Sequence, residues 1–185
     1  MKINMGCGQN KINDYLNIDK FAECAPDLQI DLEVFPWPID TDSAEEVLFN
    51  HCLEHLGQSS EVFFKIIKEI YRISKDGAKL VINVPHPRHD NFLGDPTHVR
   101  VINPMVLSLF SKKANLYWKE INASNSPLAL YLNVDLEIVE CVQVLDPFYQ
   151  KKFDAKEVTV EQLSLYAQER NNVIQEYRIV MKALK

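Results

Sequence analysis

A glycine turn set against the end of a short apolar strand constrains this chain more than any other feature. Lys2-Ile3-Asn4-Met5 reads as the strand, and Gly6-Cys7-Gly8 stops it. Glycines there permit a tight turn and a close backbone approach to a bound group, where a Cβ would collide. Tyr15 to Asp19 then alternates and ends on a carboxylate, as does Leu28-Gln29-Ile30-Asp31; Glu46 to Asn50 is a fourth β-like run. Each is apolar in the middle and polar at its carboxyl end, the pattern of buried strands that feed a ligand-binding edge. A carboxylate placed like Asp19 can accept hydrogen bonds from both hydroxyls of a ribose.

Further along, Ser59 to Ser74 predicts a helix, with Val62, Phe63, Ile66, Ile67, Ile70 and Tyr71 at three- and four-residue spacing. Ser59 or Ser60 caps its start and Asp76-Gly77 supplies its stop. Ala78 to Val84 reads as a strand, Pro85 to Asn103 as a long loop, and Pro104 to Lys112 as a helix. Leu136 to Leu145 and Tyr177 to Ala183 are strand-like, with a helix over Thr159 to Asn171 between them; Asn115 to Leu132 carries no readable period. The expected fold is α/β: a Rossmann-like sheet, mostly parallel with an antiparallel last strand, in a single domain over residues 1–185.

Composition narrows the setting. A net charge of −6 argues against nonspecific nucleic-acid binding, and no apolar run reaches the ~18 residues of a membrane span. The first residues lack a secretory apolar stretch, and the four cysteines show neither CxxC spacing nor disulfide density. The expected location is the cytoplasm.

The order of motifs is more specific than any one of them. After Gly6-Cys7-Gly8 and Asp19 come Asp31-Leu32, Pro36-Trp37-Pro38, and a strand running into Asn50-His51-Cys52-Leu53-Glu54-His55. The amphipathic helix, Lys75-Asp76-Gly77 and the strand to Pro85 follow. Over residues 2–112 this succession resembles the class I S-adenosylmethionine (SAM)-dependent methyltransferases of the type 11 branch. The resemblance implies SAM as cofactor, with Gly6, Cys7 and Gly8 against its methionine part. It places Asp19 on the ribose, Asp31 and Leu32 at the adenine edge, and Asn50 and His51 beside the sulfonium. Trp37 packs either near the adenine or as a structural corner.

Three departures stand out. Asn4 replaces an acidic residue that often precedes GCG, and Asn10 replaces the loop's third glycine, a position where Asn tolerates a left-handed backbone. Only Gln9 to Asp14 separates GCG from the second strand, whereas a parallel crossover normally takes roughly a dozen residues and a helix. The fold is therefore expected to be trimmed at its N-terminus, with one flank of the cofactor uncovered unless a second subunit of a homo-oligomer shields it.

The loop after Pro85 holds three of the five histidines. Its Asp95-Pro96-Thr97-His98-Val99-Arg100 string is similar to one in SAM enzymes of sugar or envelope metabolism. Loops at the carboxyl ends of parallel strands carry substrate contacts. His98, or secondly His86, is the expected general base, with Asp95 orienting His98, and Arg88 and Arg100 anchoring a small acidic acceptor. His51-Cys52-Leu53-Glu54-His55 also fits H-x-x-E-H, a zinc-hydrolase pattern. Gly57 and the preceding strand deny it the helix that presents both imidazoles, so no metal is expected and Glu54 and His55 are read as shaping the turn. The competing readings are a noncatalytic SAM-binding module and, more remotely, a nicotinamide dehydrogenase, which would need glycine at Lys11.

Overall fold

The computed structural model describes residues 1–185. Its centre is one seven-stranded sheet of β1 (Lys2–Met5), β2 (Leu16–Asp19), β3 (Leu28–Gln29), β4 (Ala44–Asn50), β5 (Ser74–Pro85), β6 (Leu136–Leu145) and β7 (Ile174–Ala183). The spatial order is β3-β2-β1-β4-β5-β7-β6; the first five strands are parallel, and β7 runs antiparallel to both β5 and β6. The chain steps outward from β1 to β3, then restarts on the other side of β1 with β4. That reversal opens a crevice at the carboxyl ends of β1 and β4, the place where open α/β sheets bind ligands.

The helices are α1 (Ser60–Ile73), α2 (Asp90–Leu93), α3 (Pro104–Ser108), α4 (Lys112–Glu120), α5 (Leu128–Leu132), α6 (Pro147–Asp154) and α7 (Val160–Glu169). In α1, Phe63, Ile66, Ile67, Ile70 and Ile73 are buried and join the core formed by Ile3, Met5, Val47, Phe49, Leu80 and Ile82. Each such side chain contributes about 1.5–3 kcal/mol by leaving water. Ser59 caps α1 by accepting from the Val62 amide. The expected stop at Asp76-Gly77 is not where α1 ends. Ser74 turns directly into β5, and Gly77, at φ +73°, lies within a register irregularity near that strand's start.

Elsewhere the expected helix over residues 104–112 is two helices, because Ser111 accepts from the Ala114 amide and starts α4 afresh. The expected strand Leu28–Asp31 ends at Gln29, and α2 lies inside the expected 85–103 loop.

No helix joins β1 to β2. A buried asparagine pair organises the short connection instead. Asn4 donates to the Asn10 carbonyl and to Asn17 Oδ1, at 3.1 and 3.0 Å. Asn17 Oδ1 also accepts from the Ile12 amide, while its Nδ2 donates to the Ile12 and Tyr15 carbonyls and to Asp27 Oδ2. Asn4 therefore sits where it does because its amide can donate, which a carboxylate could not. Asn10 is not left-handed; the non-glycine residue of this connection with positive φ is Asp14. Asn17→Ala strands several of these buried groups and should cost about 2–3 kcal/mol in chemical denaturation. A loss within ±0.5 kcal/mol would mean the connection holds without the pair.

Candidate functional site

The crevice contains two adjoining cavities that share Gly6, Gly8 and His51. The first, of about 440 Å³, runs from Gly6, Gly8 and Asp19 past Ile30, Asp31 and Leu32 to His51, Cys52, His55 and Thr97. The second, of about 670 Å³, lies on the other side of the glycine turn and is bordered by Asn4, Cys7, Gln9 to Ile12 and Asn50. It lies along the helix-free connection between β1 and β2. Gly6, Gly8, Asp19, Asp31, Leu32 and His51 thus share one cavity wall, and Cys7 and Asn50 border its neighbour.

The turn's shape follows from its dihedrals and from Asp19. Gly6 and Gly8 adopt φ +64° and +51°, the left-handed region. A Cβ on Gly6 would strike Cys52, whereas one on Gly8 would meet no protein atom within 4 Å. Asp19 is buried; its Oδ2 accepts from the Gly8 amide at 2.8 Å and its Oδ1 from the Phe21 amide at 2.9 Å. A carboxylate has about four acceptor sites, so lone pairs remain for a further donor. Trp37 is a structural corner. It is buried outside the cavity, donates from Nε1 to the Leu32 carbonyl, and so fixes one apolar wall.

His51 stands at the end of β4 with φ +51° and a half-exposed side chain. Its Nε2 donates to Glu176 Oε2 on β7 at 3.0 Å, and its Nδ1 lies 3.6 Å from Glu54 Oε1. Both carboxylates are buried, and they hold the imidazole pKa above its ordinary value, Glu54 first and then Glu176, against the opposing effect of burial. The pairing with Glu176 spans 125 residues and has no local sequence signal.

The loop residues lie differently from expectation. His98 is half-buried and is not among the residues that border the cavity; its Nδ1 donates to the Phe92 carbonyl at 2.9 Å, and Phe92 and His55 pack on its ring. Its side chain is 7% exposed. His86 borders a separate cavity beside Tyr177 and α7, and burial lowers its pKa. Arg88 donates to the Ala167 and Gln168 carbonyls, tying the loop to the end of α7. Arg100 donates to the Gly57 carbonyl and lies over the Phe63 ring at 4.3 Å. Both arginines hold loops, and neither borders the glycine-turn cavity. Asp95 Oδ1 accepts from the Thr97 amide and hydroxyl, which lowers the Asp95 pKa, and its Oδ2 lies 3.8 Å from His98 Nε2. Thr97 and His55, which do border the cavity, were not among the expected site residues as cavity groups.

No family model matches the sequence, and no curated protein is significantly similar to it. Solved structures are. A SAM-dependent methyltransferase from Archaeoglobus fulgidus aligns over 97% of this chain and 84% of its own, at 19% identity and a TM-score of 0.60. A putative S-adenosylmethionine-dependent methyltransferase from Listeria monocytogenes aligns over 99% and 90%, at 13% identity and 0.55. A geranyl diphosphate methyltransferase, solved in complex with SAM, aligns over 98% and 77%, at 11% identity and 0.52. The chain therefore has the Rossmann-like fold of the SAM-dependent methyltransferases. No helix is long and apolar enough to cross a membrane.

Proposed function

We propose that this chain is a SAM-dependent methyltransferase acting on a small molecule, of the sugar or envelope-related kind. The observation that carries the reading is the single cavity shared by Gly6, Gly8, Asp19, Asp31, Leu32 and His51 at the point where strand order reverses. Its donor set fits the cofactor. Asp19 keeps acceptor capacity for ribose hydroxyls, Ile30 and Leu32 offer apolar walls to a flat base, and Gly8 leaves room where any Cβ would point. When bound, SAM supplies an electrophilic methyl group on a sulfonium.

The chain's own residues then have two tasks. The β4 end and the Thr97 segment orient the acceptor and exclude water. His51 takes the acceptor's proton, replacing His98 and His86 in that role. Glu176 accepts from Nε2–H, which leaves the Nδ1 lone pair to receive the proton while Glu54 and Glu176 stabilise the resulting imidazolium. The second cavity beside Gln9 to Ile12 leaves the methionine side uncovered, a flank that a second copy of the chain would shield.

Titration calorimetry tests the cofactor assignment. One molecule of SAM, or of its demethylated product, should bind per chain. Asp19→Ala should weaken binding by about 1.5–3 kcal/mol, the scale for losing hydrogen bonds to a charged group. Binding of a nicotinamide dinucleotide and not of SAM would overturn the reading.

A further inference from the structure

We propose that Glu54, His55 and His98 form a binding site for one divalent transition-metal ion of the zinc type. Glu54 Oε, one nitrogen of His55 and one of His98 all lie within 4.8 Å of one another. Two imidazoles and a carboxylate are a donor set for such ions, and bonds of about 2.0–2.2 Å would draw the three together through small side-chain rotations.

Glu54 supplies the first independent argument. Its side chain is 1% exposed, and neither carboxylate oxygen has a hydrogen-bond partner. His51 Nδ1 is 3.6 Å away, beyond hydrogen-bond reach. A buried carboxylate without a partner is strongly unfavourable. A cation held between Glu54 and the two neighbouring imidazoles satisfies its charge and its lone pairs together.

The tautomers supply the second. Asp95 Oδ1 can only accept, so the Thr97 hydroxyl spends its proton there at 2.6 Å. Thr97 Oγ1 must then accept from His55, which places a proton on His55 Nδ1 at 3.0 Å. The Phe92 carbonyl likewise forces the proton of His98 onto Nδ1. In the neutral rings Nε2 is then the bare nitrogen, and each Nδ1–H is pinned by an oxygen. Metal-ligating histidines are oriented in this way by the groups behind them.

The backbone brings the three together. The Glu54 carbonyl accepts from the Val99 and Arg100 amides, at 3.0 and 3.1 Å, which docks the loop on the turn after β4. Arg100 then locks it through the Gly57 carbonyl. Asp95, Thr97, His98 and Arg100 thus act on one spot, which accounts for their spacing. In the H-x-x-E-H segment, where no metal was expected, Leu53–His55 forms a single short turn and His51 faces Glu176 rather than His55. The second imidazole comes from His98, 43 residues after His55. With three protein ligands, one position is left for an exogenous oxygen, on the cavity wall that His55 and Thr97 form.

The test uses full-length protein stripped with a chelator, and Zn²⁺ or Co²⁺ alone, so it is independent of the cofactor assignment. Calorimetry should show one equivalent of Zn²⁺ bound, and binding should be lost in Glu54→Gln and His98→Asn variants whose circular dichroism matches the parent. Thr97→Val, which frees the His55 ring, should weaken binding by roughly 10–100-fold. The Co²⁺ form of the unmutated protein should show visible bands of a nitrogen- and oxygen-ligated ion without a thiolate charge-transfer band, a readout that does not depend on the variants folding. Absence of stoichiometric binding, binding untouched by both ligand substitutions, or a thiolate band placing the ion on Cys7 or Cys52 would overturn the proposal.

Discussion

His51→Ala should lower turnover by roughly 10²–10⁴-fold once an acceptor is in hand, the range for removing a positioned acid–base group. The imidazole is the half-exposed titratable group that borders both cavities, and Glu176 fixes it from behind at 3.0 Å. His51→Gln should not restore the rate, because an amide can hold a similar position but cannot take a proton. Glu176→Gln should give a smaller loss, since it removes the charge behind the ring and keeps the ring itself. Single-turnover measurements with saturating cofactor would separate these effects from binding. If His51→Ala turned over nearly as fast as the parent, the proton would leave by another route.

Gly6→Ala should be among the most damaging single methyl additions in the chain. The new Cβ would lie 2.2 Å from Cys52 Sγ and 2.9 Å from Cys52 Cβ, and the residue would have to hold φ +64°. Overpacking costs about 1–3 kcal/mol and a left-handed backbone about 1–2 kcal/mol more, so about 2–5 kcal/mol is expected. Against a typical total of about 5–15 kcal/mol, much of the protein's stability would be lost. Gly8→Ala is the control. At φ +51° it meets only the backbone cost, and its methyl group points into open space, so cofactor binding should suffer more than folding. Cys52→Gly in the Gly6→Ala background should recover part of the loss, measured as the denaturation midpoint at unchanged slope. Equal destabilisation by the two alanines would contradict this account of the turn.

The sequence was most legible where local chemistry and tertiary role coincide. The period and caps of α1, the glycines of the first turn and the carboxylate ending β2 could be read directly, because each is required by its own neighbours. The stretch from Asn115 to Leu132 could not. Its key buried residue is polar: Asn115 donates to the Leu109 carbonyl and accepts from the Ala129 amide, while Leu116, Tyr117 and Ile121 are exposed. That inverts the apolar period on which a helix is recognised. The helix α6 does carry a local signal, Asp146 as cap followed by Pro147.

For the site, the density of charged groups in the Pro85–Asn103 loop was visible, but the direction of each side chain was not. Arg88 and Arg100 look like substrate anchors in one dimension and prove to be fastened to carbonyls of α7 and of Gly57. His98 likewise turns inward, against Phe92 and His55. The pairing of His51 with Glu176 emerges only from the antiparallel placement of β7 beside β5, where Glu176 lies opposite Pro85.

The claim on which the account rests is that the cavity between the glycine turn and β4 holds the cofactor. A crystal structure grown with S-adenosylhomocysteine tests it most directly. The ribose hydroxyls should donate to the Asp19 carboxylate, the adenine should lie against Ile30 and Leu32, and the sulfur should face His51. A ligand found instead in the cavity beside His86 and Tyr177, or none in the glycine-turn cavity at saturating concentration, would contradict it.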